Sequence, residues 1–160
     1  MGKKRIAFLL ILTLLLLSGC SKKEEITGGQ MILAQIEFTE SYFSLMDEMA
    51  ETYSEYIAFN ISEQKFKEII KEYLERVKLE EKRYEEFNKK YVLSPEETDG
   101  DVLKAIALAE EARGYVKAIL EKSIDRGRVI HREKLLELYT EHADKIQAVM
   151  EEFKKIIENI

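Results

Sequence analysis

The stretch FKEIIKEYLERVKLEEKRYEEFNKKY, residues 66–91, decides the fold. Phe66, Ile70, Tyr73, Val77, Glu80, Tyr84, Phe87 and Tyr91 follow one another in alternating steps of four and three. Such steps return to the same side of an α-helix, whereas a half-buried strand needs alternation at every second residue. Lysine and glutamate fill most of the intervening positions, so the pattern predicts a helix with one apolar face and a solvated remainder. Glu80 is the single charged residue on the stripe.

The same spacing recurs on both sides. Phe38, Tyr42, Leu45, Met49, Thr52, Tyr56 and Phe59 form an earlier stripe, and Leu135, Tyr139, His142, Ile146, Val149, Phe153, Ile156 and Ile160 a later one. Between them lies a segment of small residues, Ala105, Ala107, Ala109, Ala112, Gly114 and Ala118, set among Leu103, Ile106, Leu108, Tyr115, Val116 and Ile119. Small side chains let that helix approach its neighbours closely. One proline and seven glycines in 160 residues agree with a helical chain.

Punctuation divides this pattern into four helices. Asn60-Ile61-Ser62 separates the first two, with Ser62 as N-cap. Ser94-Pro95-Glu96-Glu97 suggests a cap, a proline in the first helical position and Glu97 reaching back as a capping box. Asp99-Gly100-Asp101 follows at once, so the third helix is expected to restart near residue 100. Arg126-Gly127-Arg128 forms the last turn, with Gly127 as C-terminal cap. Short connections make neighbours antiparallel, and the expected fold class is all-α, an up-down-up-down four-helix bundle. A long three-helix bundle, with the last turn read through, is the alternative.

The N-terminal region is of another kind. Lys3, Lys4 and Arg5 precede Ile6–Leu17, apolar except for Thr13. As a helix those twelve residues would cover about 18 Å, short of the roughly 30 Å hydrocarbon core of a bilayer. A basic start, a short apolar run and then small residues describe a secretory signal peptide. Leu17-Ser18-Gly19-Cys20 resembles the lipobox of prokaryotic lipoproteins, a resemblance confined to residues 1–20. It implies cleavage between Gly19 and Cys20 and a diacylglycerol on the Cys20 sulfur, which would anchor the chain to a membrane on its extracytoplasmic side. The chain has no second cysteine to pair with Cys20. Two or more acyl chains hold a protein on a bilayer without help from its surface.

The expected organisation is therefore a signal peptide over 1–19, the lipidated Cys20 with a flexible tether through residue 30, and a helical domain over 31–160. Ser21–Gln30 has no apolar periodicity and contains Gly28-Gly29, which suggests the tether. Cleavage would leave the chain three units more negative than its net −6. That charge opposes binding to nucleic acid and to anionic lipid.

Signatures of catalysis are sparse. Neither His131 nor His142 belongs to an H-E-x-x-H motif, and the residues three before them, Arg128 and Tyr139, do not suit a di-iron bundle. No G-x-S-x-G or phosphate-binding glycine loop occurs, and one cysteine cannot make C-x-x-C-H. The expectation is a non-catalytic interaction or structural module of the cell envelope.

Two groups of residues are candidate sites. His142 and Glu80 occupy stripe positions meant for apolar side chains, about 22 Å and about 27 Å from the distal turns by helical rise. Met46 and Met49 fall near that level. Such a layer suits a carrier of a small ligand, a soft metal or haem; the same residues also suit a core histidine hydrogen-bonded to a glutamate, a polar pair that can fix helix register, or side chains that lean out to water. The second group is the distal tip, where Lys122, Arg126, Arg128, His131, Arg132 and Lys134 collect. Arg128, Arg132 and Lys134 sit at the opening of the last helix, where positive charge is unfavourable. This points to docking of an acidic partner, an envelope protein or an anionic wall polymer, against the plainer reading of a solvated surface.

Overall fold

In the computed structural model, residues 23–159 are described. The expected signal segment, the cleavage after Gly19 and the lipidated Cys20 lie outside them.

Helix α1 (Gly28–Ile57) starts where Thr27 accepts from the Gln30 backbone N–H at 3.2 Å while the Gln30 side chain accepts from the Thr27 N–H at 2.9 Å. This reciprocal cap begins the helix inside the segment expected to be a tether. Just before it, strand β1 (Glu24–Ile26) pairs in parallel with β2 (Tyr91–Leu93). The tether expected over residues 20–30 is thus corrected: its second half is strand and capped helix, and backbone pairing to β2 holds it.

Helix α2 (Glu63–Lys90) is capped by Ser62, as expected, and ends at β2. Pro95–Glu97 is a single 3-10 turn, and Ser94 makes no side-chain cap. Glu97 does not serve its own segment. Its carboxylate accepts from the Gly28 N–H at 2.6 Å, so it caps α1 and places negative charge at that helix's N-terminus. The fit around Gly28 is tight: an added Cβ would stand 3.0 Å from the Val102 side chain and 3.1 Å from the Glu97 carboxylate, so both would have to give way slightly. Helix α3 (Gly100–Lys122) has Asp99 as N-cap.

The last connection differs from expectation. Gly127 is not a helix cap: α3 ends at Lys122, and an antiparallel pair, β3 (Ile124–Asp125) with β4 (Arg128–Val129), intervenes before α4 (Arg132–Ile157). Arg126 (φ 46°) and Gly127 (φ 79°) are both left-handed, which a two-residue hairpin turn requires to match the strand twist.

The four helices alternate in direction, as the four-helix reading expected. Helix α3 packs most extensively on α4 and then on α1. Ala105, Ala109 and Ala112 are fully buried, which lets α1 and α3 close across the short diagonal while α2 and α4 flank them. No helix among the described residues is long and apolar enough to cross a membrane.

The core has two parts. In the distal half all four helices contribute: Met49 and Tyr53 from α1, Phe66, Ile70 and Val77 from α2, Val116 and Ile119 from α3, and Leu135 and Ile146 from α4. Burial of each large apolar side chain contributes about 1.5–3 kcal/mol. The proximal core joins Ile32 of α1, Val102, Leu108 and Ala109 of α3, and Phe153 and Ile156 of α4. No fully buried residue of α2 lies beyond Val77. The charged Glu80 falls where the stripe would have continued, and Leu79 is exposed. From that level α2 stands off the core, held through the edge contacts of Phe38 with Tyr84 and Phe87 and through the β1–β2 pair.

Candidate functional site

At the distal tip α1 ends in a Schellman arrangement, with the Asn60 N–H on the Glu55 carbonyl at 2.9 Å and the Phe59 N–H on the Tyr56 carbonyl at 3.2 Å. Its left-handed position, normally glycine, is Phe59 at φ 62°. Phe59 leaves the expected core stripe for that reason and is 75% exposed. Arg132 reaches across from α4, its guanidinium carbon 4.3 Å from the Tyr56 ring centroid and 3.9 Å from that of Phe59. Its Nε donates to the Tyr56 carbonyl at 3.0 Å. The positive charge that is unfavourable at the start of α4 is thus favourable at the end of α1.

Arg126, Arg128, His131 and Lys134 surround a hollow of about 500 Å³ beside the hairpin, with Asp125 the one acid on its wall. Among the described residues no carboxylate lies within ion-pair distance of Arg126, Arg128 or Lys134, while His131 stands 3.8 Å from Glu133. The structure therefore brings the tip residues together and gives Arg132 a structural task. Lys122 turns away toward His142, with 3.5 Å between its Nζ and the ring Nε2.

The layer expected from His142, Glu80, Met46 and Met49 does not assemble. The hairpin takes up residues that counting had assigned to helix, so His142 stands ten residues into α4 and Glu80 seventeen into α2, about 10 Å apart in height. The two helices are also on opposite flanks. His142 is buried, its Nδ1 2.9 Å from the Leu138 carbonyl and its ring edge-on to Tyr115. Glu80 pairs with Arg83 at 2.8 Å. Met49 is fully buried in the distal core, and Met46 packs at its margin. No group of three or more acidic, histidine or cysteine side chains able to hold a metal ion occurs among the described residues.

A polar constellation that the sequence reading missed lies where α2 departs from the core. Arg113 of α3 is 7% exposed. It donates to Thr39 Oγ1 at 3.0 Å and Gln35 Oε1 at 2.9 Å, both on α1, and its guanidinium lies 4.6 Å from the Tyr84 ring centroid. Gln35 Nε2 donates to the Tyr84 hydroxyl at 3.2 Å, which donates in turn to Glu110 at 2.5 Å. Burial, and then the hydrogen bond to Glu110, raises the Tyr84 pKa. No carboxylate among the described residues forms an ion pair with Arg113. Its charge rests on neutral acceptors and a ring face, which locks α1 to α3. The available signal was Gln35, Thr39 and Tyr42 at steps of four and three, a buried stripe with two polar members.

Above this network is a cavity of about 480 Å³ between α1, α2 and α3. Phe38, Tyr42 and Tyr84 form its aromatic walls, and Glu80, Glu85 and Glu110 are on its rim. Glu81 at the same rim is paired with Lys117 at 2.5 Å. Burial, then the Glu81 charge, raises the Tyr42 pKa from its ordinary value of 10 to about 12.

No protein-family model, curated protein or solved structure matches the chain.

Proposed function

We propose that this protein is a lipid-anchored, non-catalytic module of a prokaryotic cell envelope whose distal tip docks an acidic envelope protein. The anchor rests on the lipobox resemblance at Cys20. The observation that carries the docking surface is Phe59, a bulky residue held exposed in a left-handed backbone conformation with Arg132 on its ring, at the end of the bundle that also carries the unpaired cations of the hairpin hollow. Such backbone costs about 1 kcal/mol or more, and strain of this kind concentrates at functional positions. Exposed aromatic and arginine side chains are also the residue types that dominate protein–protein binding energy.

Charge is distributed in keeping with this reading. Glu96, Glu97, Asp99 and Asp101 lie at the end where α1 begins, and the cations lie at the other. The few residues between Cys20 and Glu24 reach at most about 14 Å, and the thirty residues of α1 then extend about 45 Å. An acidic face toward anionic headgroups and a basic tip far from them would hold the bundle upright.

Fractionation and crosslinking test the two halves of the proposal. Cys20→Ser should move the protein out of the membrane fraction. A photo-crosslinker at Phe59 in the full chain should capture an acidic envelope protein, and Arg126→Glu with Arg128→Glu should abolish the adduct. An adduct of unchanged yield after charge reversal, or adducts to wall polymer alone, would count against protein docking.

A further inference from the structure

We infer that the cavity between α1, α2 and α3 is a binding site for an elongated organic cation, an aliphatic polyamine, received between the aromatic walls and the carboxylates of the rim.

The central observation is Tyr42. The residue is only 5% exposed, yet its hydroxyl lines the cavity and has no hydrogen-bond partner among the described residues. Of the other deeply buried tyrosines, the hydroxyl of Tyr53 meets Ser123 and that of Tyr73 meets Thr52, while Tyr56, at the distal tip and away from this cavity, also has a hydroxyl without a partner among the described residues. No side-chain nitrogen or oxygen among the described residues is both buried and without a partner, so the unpartnered Tyr42 hydroxyl is the end of an otherwise buried side chain that opens on the cavity.

Gly114 supplies a second, independent observation. It sits inside α3, where glycine is less favourable than alanine. A Cβ there would meet nothing within 4 Å, so no neighbour in the bundle requires its absence. The residue faces the cavity, and what it leaves is room.

Charge selects the ligand class. The two cations on the lining are committed, Arg113 to Gln35 and Thr39 and Lys117 to Glu81. Glu85 and Glu110 have no cationic partner within 4 Å among the described residues, and Glu110 accepts only from Tyr84. Carboxylate fields outweigh that of Arg113 at the Tyr42 hydroxyl. A cation entering here gains the carboxylates and an acceptor on Tyr42, beside an aromatic lining on which Arg113 already covers one face of Tyr84 and Arg83 stands 5.8 Å from the Phe38 centroid.

Shape narrows it further. The acids do not converge on one point as a metal ion requires. Tyr42 and Glu80 also line a second hollow, of about 380 Å³ between α1 and α2, that reaches Ser44 and Arg76. Two or three ammonium groups spaced along an aliphatic chain match carboxylates distributed along a groove, while the methylenes lie against the rings.

Calorimetric titration of the full-length protein in detergent with spermidine, 1,4-diaminobutane and magnesium chloride at matched ionic strength tests this. Spermidine should bind at one site per chain, more tightly than the diamine, and magnesium should give no comparable site. Tyr42→Phe, which removes only the idle hydroxyl, should weaken spermidine about fivefold to tenfold. Glu85→Gln with Glu110→Gln should weaken it at least about tenfold, and Gly114→Leu, which fills the space, should abolish it while leaving the helical circular dichroism intact. The charge-matched control Glu68→Gln with Glu72→Gln, on the exposed distal part of α2, should bind as the parent does. Equal losses in the two glutamine pairs, magnesium binding as tight as spermidine, or an unaltered Tyr42→Phe titration would overturn the assignment. If Gly114→Leu does not fold, the Tyr42→Phe comparison still decides it.

Discussion

The distal and proximal halves of this bundle use the same four helices for different ends. In the distal half α2 sends Phe66, Ile70, Tyr73 and Val77 into a core shared by all four. In the proximal half α1, α3 and α4 close on one another without it, and α2 meets them across a polar cavity. One charged residue on the stripe, Glu80, marks the change. An amphipathic helix need not be buried along its whole length: three helices supply the proximal core, and the fourth becomes a wall.

Core truncation should separate the halves most clearly. Phe66→Ala, at a fully buried distal position, should cost about 3–5 kcal/mol in urea denaturation. Phe87→Ala, half-buried on the proximal part of α2, should cost about 1 kcal/mol. Equal losses would dissolve the distinction between a four-helix core and a three-helix core.

The boundary between the halves is the Arg113 network, and the next largest effect belongs there. Arg113→Ala leaves Gln35 and Thr39 buried without their donor and should cost about 2–4 kcal/mol. Arg113→Met combined with Gln35→Leu replaces the polar contact with apolar packing and should recover most of that loss. A double variant as unstable as the single one would show that the guanidinium does more than satisfy α1.

Alkaline pH sharpens the same comparison through the tyrosines. Tyr42 is held neutral up to about 12 by burial and the nearby Glu81 and Glu80, and Tyr53 is shifted in the same direction chiefly by burial. A raised folded-state pKa keeps its full contribution below the unfolded value of 10 and loses it as pH climbs through the folded value. Stability should therefore fall between pH 10 and about 12. Tyr42→Phe should flatten part of that fall when denaturation midpoints are followed against pH.

The smallest effect expected is a gain. Gly114→Ala adds a methyl group in open space at a helix interior and should stabilise by about 0.5–1 kcal/mol. A loss instead would mean that the cavity wall is closer than it stands in the folded chain.

Helix faces were legible in residues 66–91 because amphipathic periodicity is a local property. Ser62 was legible as a cap, since capping involves residues three apart, and the Thr27–Gln30 box was available by the same logic. The Glu97 cap on Gly28 was not legible, because donor and acceptor are 69 residues apart in the chain. His142 and Glu80 were correctly singled out as polar members of apolar stripes, yet their pairing failed on a hairpin too short to carry a periodic signal. Each turned out to have its own surroundings: His142 the Tyr115 edge, Glu80 the cavity rim.

The order of hydrophobic steps along the chain determined, without reference to anything distant, that this protein makes four amphipathic helices with short connections. Tertiary structure alone decided which helices meet along the short diagonal, that α2 leaves the core beyond Val77, and that Arg113, Gln35, Tyr84 and an idle Tyr42 hydroxyl gather beside one cavity. The reason is physical: helical periodicity records which face turns inward, whereas the partner of a buried polar group depends on the height and side at which another helix presents its own, and that depends on every turn in between.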